Sequence, residues 1–144
     1  MDDPHCLPLG RRGRSWRRLY PGAVASVEDL SARLRDFAAE RDWNQFHTPK
    51  NLAMALAGEV GELLAELQWL TPEQSRSVMD DASAGPRVRA ELGDVVIYLV
   101  RLADVLGVDL VGAAFDKLVD SERRYPVERS RGSARKAPPT RPTG

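Results

Sequence analysis

Cysteine is nearly absent from these 144 residues: Cys6 stands alone. One thiol closes no internal disulfide and builds no cysteine zinc site, so a disulfide scaffold and a zinc ribbon are excluded. Histidine is scarce as well, with only His5 and His47. Neither stands at the Glu-x-x-His spacing of di-iron carboxylate bundles, which removes that class. No apolar run reaches the roughly eighteen residues of a membrane span. The arginine-rich start has no apolar stretch behind it and does not read as a secretory leader. The expectation is a cytoplasmic protein with no membrane partner.

Net charge is absent too, because 21 basic residues face 21 acidic ones. The balance is uneven along the chain. Residues 1–26 carry five arginines and two aspartates, and residues 122–144 carry seven basic and two acidic groups. The centre, residues 27–121, therefore holds a net −8, with nine basic and seventeen acidic residues. Seven of the ten prolines also lie in the two ends. Such ends have little to bury and read as tails: a disordered or extended segment over 1–26 and a disordered basic tail over 128–144. Scattered arginines without a folded module predict no nucleic-acid partner. One domain, 27–127, remains between them.

That domain reads as all-α. Ser26, Thr48-Pro49, Thr71-Pro72 and Gly85-Pro86 mark helix starts, because a capping residue or a first-turn proline suits the unpaired N–H groups there. Thr71 with Gln74 fits a capping box. The predicted helices run about 27–41, 49–70, 72–81, 86–106 and 109–124, with Gly107 and Pro126 as stops. The helix over 86–106 is apolar almost all round (Val88, Leu92, Val95, Val96, Leu99, Val100), so it is central. Helices this short do not cover it in a monomer, and self-association is expected.

Two acidic pairs stand out. Glu59 and Glu62 share one face of the second helix, and Glu91 and Asp94 share one face of the helix over 86–106. At about 100° per residue from Glu59, the acids fall between about −60° and 0°, and Leu52, Leu56, Leu63 and Leu67 between about 20° and 80°. The acids border the buried stripe instead of opposing it, which is unusual for solvated charge. Carboxylates without histidine or cysteine suit a hard oxygen-seeking cation, Mg²⁺ or Mn²⁺. Gly58, Gly61 and Gly93 sit beside these acids, each costing about 1 kcal/mol against alanine in a helix. They predict close approach by another helix or a ligand.

Flat side chains accompany the acids. Trp69 follows Glu62 by seven residues, and Tyr98 follows Asp94 by four. Trp43 and Phe46 precede the second helix and can fold back on its start. A planar base would stack there. His47 is counted with them as a candidate substrate contact, although a lone loop histidine usually faces solvent. Lys117, Ser121 and Arg124 share a face of the last helix, where a cation can meet phosphates. The competing reading is a non-enzymatic helical interaction module whose acidic patch binds metal or a basic partner.

The stretches Phe37 to Trp43 to His47-Thr-Pro-Lys-Asn51, Gly58-Glu-Val-Gly-Glu62, Glu91-Leu-Gly-Asp94 to Tyr98, and Lys117 to Arg124-Tyr-Pro-Val127 resemble the MazG-like all-α nucleoside triphosphate pyrophosphohydrolases, in their dCTP pyrophosphatase branch. The resemblance covers roughly 27–127. Its signature is E-x-x-E, here 28 intervening residues, then E-x-x-D. It implies a four-helix core completed by a homodimer or homotetramer. It also implies Mg²⁺ ligation by Glu59, Glu62, Glu91 and Asp94, base contacts by Trp43, Trp69 and Tyr98, and phosphate contacts by Lys117. The implied substrate is a (deoxy)nucleoside triphosphate, dCTP or a modified pyrimidine nucleotide, cleaved to monophosphate and pyrophosphate. Glu62 is the candidate to accept the proton of the attacking water. Two positions depart from the pattern: Ser121 stands where the family often has Asn, and Leu34 where animal-type dCTP enzymes have His.

Overall fold

The computed structural model describes residues 26–137, so residues 1–25 of the expected leading segment and the last seven residues of the tail lie outside the described residues. Among the described residues there is no strand. The elements are α1 (Val27–Ala39), α2 (Pro49–Leu67), α3 (Pro72–Arg76), α4 (Ala84–Leu106), α5 (Leu110–Arg124) and α6 (Val127–Ser130), with 3-10 turns at Trp43–Gln45 and Val78–Asp80. No helix among them is long and apolar enough to cross a membrane. The all-α class expected from the sequence is what forms.

Local chemistry explains the helix starts. The Ser26 hydroxyl accepts the Asp29 N–H while the Asp29 carboxylate accepts the Ser26 N–H, a reciprocal cap. Thr48 caps α2 ahead of Pro49, and Thr71 with Gln74 forms the expected capping box of α3. One start differs from expectation. Helix α4 begins at Ala84, not Pro86, because the Asp81 carboxylate accepts the N–H groups of Ser83 and Ala84 at 2.8 and 2.7 Å. Pro86 still lies in the first turn, where no N–H is required. The segment expected as one short helix over 72–81 is α3 followed by a 3-10 turn.

The chain divides between Leu106 and Gly107 into two compact units. In the first, α4 is the central element and packs on α2 and α1. Ala38 of α1, Leu52 of α2, and Val88, Tyr98, Val100 and Ala103 of α4 are its buried hydrophobic residues. Much apolar surface on the same helices stays open, including Leu64 on α2 and Leu92 and Val96 on α4. The second unit opens at Gly107, whose φ of 66° is left-handed backbone that suits glycine after a helix. The Asp109 carboxylate then caps α5 through the Gly112 N–H. α6 follows Pro126, and its residues after Val127 fall in the stretch expected as tail.

Gly85 is where backbones come closest. A Cβ there would stand 2.9 Å from the Met79 carbonyl oxygen and 3.2 Å from the Met79 Cα. Backbone atoms yield less readily than side-chain ends. Gly85→Ala is therefore expected to destabilise the protein by about 1–3 kcal/mol. A lower urea midpoint at unchanged slope would show it, and an unchanged midpoint would contradict it.

Candidate metal and nucleotide site

Glu59 and Glu62 leave α2 on one face, and Glu91 and Asp94 leave α4 on one face. Because α2 packs on α4, one carboxylate oxygen each of Glu59, Glu62 and Glu91 come within 4.8 Å of one another. Asp94 is not in that tight set, yet it belongs to the same field. Burial, then the Glu62 charge, raises its carboxyl pKa above the ordinary value. Glu91 is raised by burial first, then by the charges of Glu62, Asp94 and Glu66. Acids that resist ionisation in one another's presence gain from a cation between them. The donor set is oxygen alone, which fits a hard divalent ion.

Glu66 is held differently. Both its oxygens accept from Arg87 Nε, at 2.9 and 3.0 Å, and Arg87 Nη1 also donates to the Ser83 carbonyl and hydroxyl. This arginine borders the acidic group, and the sequence reading did not single it out.

Of the two approaches expected at the glycines, by another helix or by a ligand, the described fold supplies neither itself. A Cβ at Gly58, Gly61 or Gly93 would meet nothing within 4 Å, so no helix among the described residues presses on them. Their faces open outward beside the acids, and close approach there is left to a ligand or another chain.

The aromatic candidates fall into two groups. The Trp43 ring meets Phe37 edge-on with centroids 5.8 Å apart, and His47 with centroids 6.4 Å apart. His47 and the buried Tyr98 share the lining of one small cavity with Leu34, Phe37, Leu52, Ile97 and Arg101. The expected exposed loop histidine is instead half-buried, because Arg101 reaches it from α4. Trp69 is not on α2 at all. The helix ends at Leu67, so the seven-residue spacing from Glu62 does not carry around a helix, and the ring is 86% exposed. Phe46 is also exposed, while its carbonyl accepts from Asn51 Nδ2 and so ties the turn to α2.

Lys117, Ser121 and Arg124 all lie on α5, in the second unit. There Ser121 Oγ donates to the Lys117 carbonyl at 2.9 Å, and the Arg124 guanidinium stands over the Tyr125 ring.

Besides Arg87, sequence reasoning missed Arg101. It is 8% exposed and bonds to Asn44, His47 and Asp104. The available signal was one charged side chain inside the apolar run from Val95 to Leu102.

No family model matches the chain. Among curated proteins, dCTP pyrophosphatase 1 of Bos taurus is 46% identical over 132 residues, spanning 87% of this chain and 76% of that protein. The dCTP pyrophosphatase 1 of Homo sapiens is 46% identical over 115 residues, spanning 77% of this chain and 65% of that protein. Among solved structures, a crystal structure of a pyrophosphatase from Archaeoglobus fulgidus is 36% identical with a TM-score of 0.65, covering 72% of this chain and 95% of that chain.

Proposed function

Because the chain belongs to the dCTP pyrophosphatase branch of the MazG-like all-α nucleoside triphosphate pyrophosphohydrolases, we propose that it converts a pyrimidine deoxynucleoside triphosphate, dCTP or a base-modified relative, to the monophosphate and pyrophosphate. The observation that carries this reading is the meeting of Glu59, Glu62 and Glu91 oxygens within 4.8 Å, across two packed helices.

In this reading Glu59, Glu62, Glu91 and Asp94 hold Mg²⁺, with Mn²⁺ as a substitute. Bound there, the ion offsets phosphate charge and makes a water more acidic. Glu62 accepts the proton as the water oxygen bonds to phosphorus and the bridge between the α and β phosphates breaks. Trp43, Trp69 and Tyr98 contact the base, with His47 beside them. Lys117, Ser121 and Arg124 contact the triphosphate and compensate charge that the carboxylates would repel. Removal of unwanted nucleotides from the precursor pool is the role that fits.

A homodimer or homotetramer completes the core in the same reading, because Leu92, Val96 and Leu99 on the central helix α4 are left 47%, 46% and 37% exposed. The partner is a small nucleotide, with no nucleic acid and no membrane involved, in the cytoplasm. The interaction-module alternative loses ground because the relatives are named for an enzyme.

The test is pyrophosphate release across a panel of nucleoside triphosphates, with and without Mg²⁺. Release from pyrimidine deoxynucleotides that stops with a chelator is expected. No release from any triphosphate by folded protein would overturn the proposal.

A further inference from the structure

Arg101 lies seven residues after Asp94 on α4, two helical turns along nearly the same face. Its guanidinium joins three elements. Nη2 donates to Asn44 Oδ1 at 2.8 Å and Nε to His47 Nδ1 at 3.2 Å, both in or next to the 3-10 turn that carries Trp43. Nη1 donates to Asp104 Oδ2 at 2.6 Å, and the other Asp104 oxygen accepts from Arg35 of α1. Burying an arginine is expensive unless its donors are matched, and an apolar side chain would fill the same space more simply. What the arginine adds is direction.

An arginine only donates hydrogen bonds, so the His47 nitrogen facing it presents a lone pair. A neutral imidazole with a lone pair on Nδ1 carries its proton on Nε2. Burial, then the Arg101 charge, lowers the His47 pKa from its ordinary value, which agrees with the neutral ring. The ring stands beside Trp43 and lines, with Tyr98, a cavity of about 20 Å³, room for one water-sized group.

We infer that Arg101 is a positioning residue of the nucleotide site. It holds His47 in the Nε2–H form and locks the Trp43–His47 turn onto the helix that carries Glu91 and Asp94. The base then meets an indole already in place and an imidazole N–H that requires an acceptor. The ring carbonyl oxygen common to the pyrimidines supplies one. This rests on the proposed function and deepens it, by assigning the polarity of base recognition to a residue that touches neither metal nor phosphate.

Two measurements test it. The first is ¹⁵N NMR of the imidazole in the free protein at neutral pH, which needs no substrate and no metal. A protonated Nε2 with an unprotonated Nδ1 is expected for His47, and a protonated Nδ1 overturns the inference whatever the activity. The second is a KM-against-kcat comparison of Arg101→Met and Arg101→Lys with the parent, using dCTP at saturating Mg²⁺. Losing an ionic hydrogen bond that orders the turn is expected to raise KM about ten- to hundred-fold in Arg101→Met, with kcat changed less than about three-fold. Arg101→Lys should recover part of the loss, because an ammonium still donates to Nδ1. A folded Arg101→Met with unchanged KM overturns the inference. Where Arg101→Met does not fold, the tautomer in the parent decides. If the parent releases no pyrophosphate from any triphosphate, the proposed function falls and the inference with it, an outcome distinct from an active parent with the wrong tautomer.

Discussion

Glu62→Gln is expected to abolish pyrophosphate release while leaving the fold intact. Glutamine keeps the shape of the side chain and removes its charge. The position is exposed on α2, so no packing is lost. Three consequences fall on the same site. The oxygen cluster with Glu59 and Glu91 loses one anionic member. The field that raises the pKa of both Glu91 and Asp94 loses a shared contributor. The proposed acceptor for the water proton is gone. A general base alone accounts for about 10²- to 10⁴-fold in rate, and loss of a metal ligand adds to that, so kcat should fall by about 10³-fold or more. Pyrophosphate release at saturating Mg²⁺, with circular dichroism as the check on folding, measures it. A kcat within ten-fold of the parent would remove Glu62 from the mechanism. Glu73→Gln on α3, exposed and outside the acidic group, is the matched control and should change nothing.

The second large effect is a reversal of stability by metal. Glu91 and Asp94 both have raised carboxyl pKa values in the fold. The folded state thus binds their protons more tightly than the unfolded chain does. Stability from this source is present at low pH and is lost as pH rises through the raised values. Once pH has passed those raised values without metal, both carboxylates are charged and their repulsion works against the fold. Glu91→Gln removes one of those charges. Metal-free Glu91→Gln is therefore expected to melt slightly above the parent at pH 7, by no more than about half a kcal/mol because solvent screens the group. The difference should shrink as pH falls and the parent carboxyl takes up its proton. With Mg²⁺ and nucleotide the order reverses. A ligand at a hundred times its Kd stabilises the folded state by about 2.7 kcal/mol, and only the parent retains the full ligand set to receive it. Melting curves at pH 4 and pH 7, with chelator or with Mg²⁺ and nucleotide, give all four values. A metal-free variant less stable than the parent at pH 7 would show that Glu91 serves the fold and not an ion.

Much of the site was legible because helices make spacing into geometry. Three-residue separations put Glu59 with Glu62 and Glu91 with Asp94, and the row from Leu52 to Leu67 showed which side of α2 faced the core. Legibility ended where helices ended. Trp69 follows the last turn of α2, so helical phase does not place it. The start of α4 shifted by two residues because Asp81, expected at the end of the preceding helix, accepts the N–H groups of Ser83 and Ala84. His47 looked like an ordinary loop histidine, since its partner stands 54 positions away on another helix.

By itself, the chain's order of residues determined the all-α class, most helix ends through Ser26, Thr48, Thr71, Asp109 and Gly107, and the pairing of acids within each helix. These are local matters, settled within a few residues by capping bonds and the helical repeat. Only the tertiary structure decided that Glu91 on α4 meets the pair on α2, that Gly85 and not the glycines beside the acids is the point of close backbone contact, and that Arg101 grips the turn carrying Trp43. Those facts depend on which faces of distant segments pack together. Burial and long-range charge, unlike capping, carry no fixed spacing that a sequence can display.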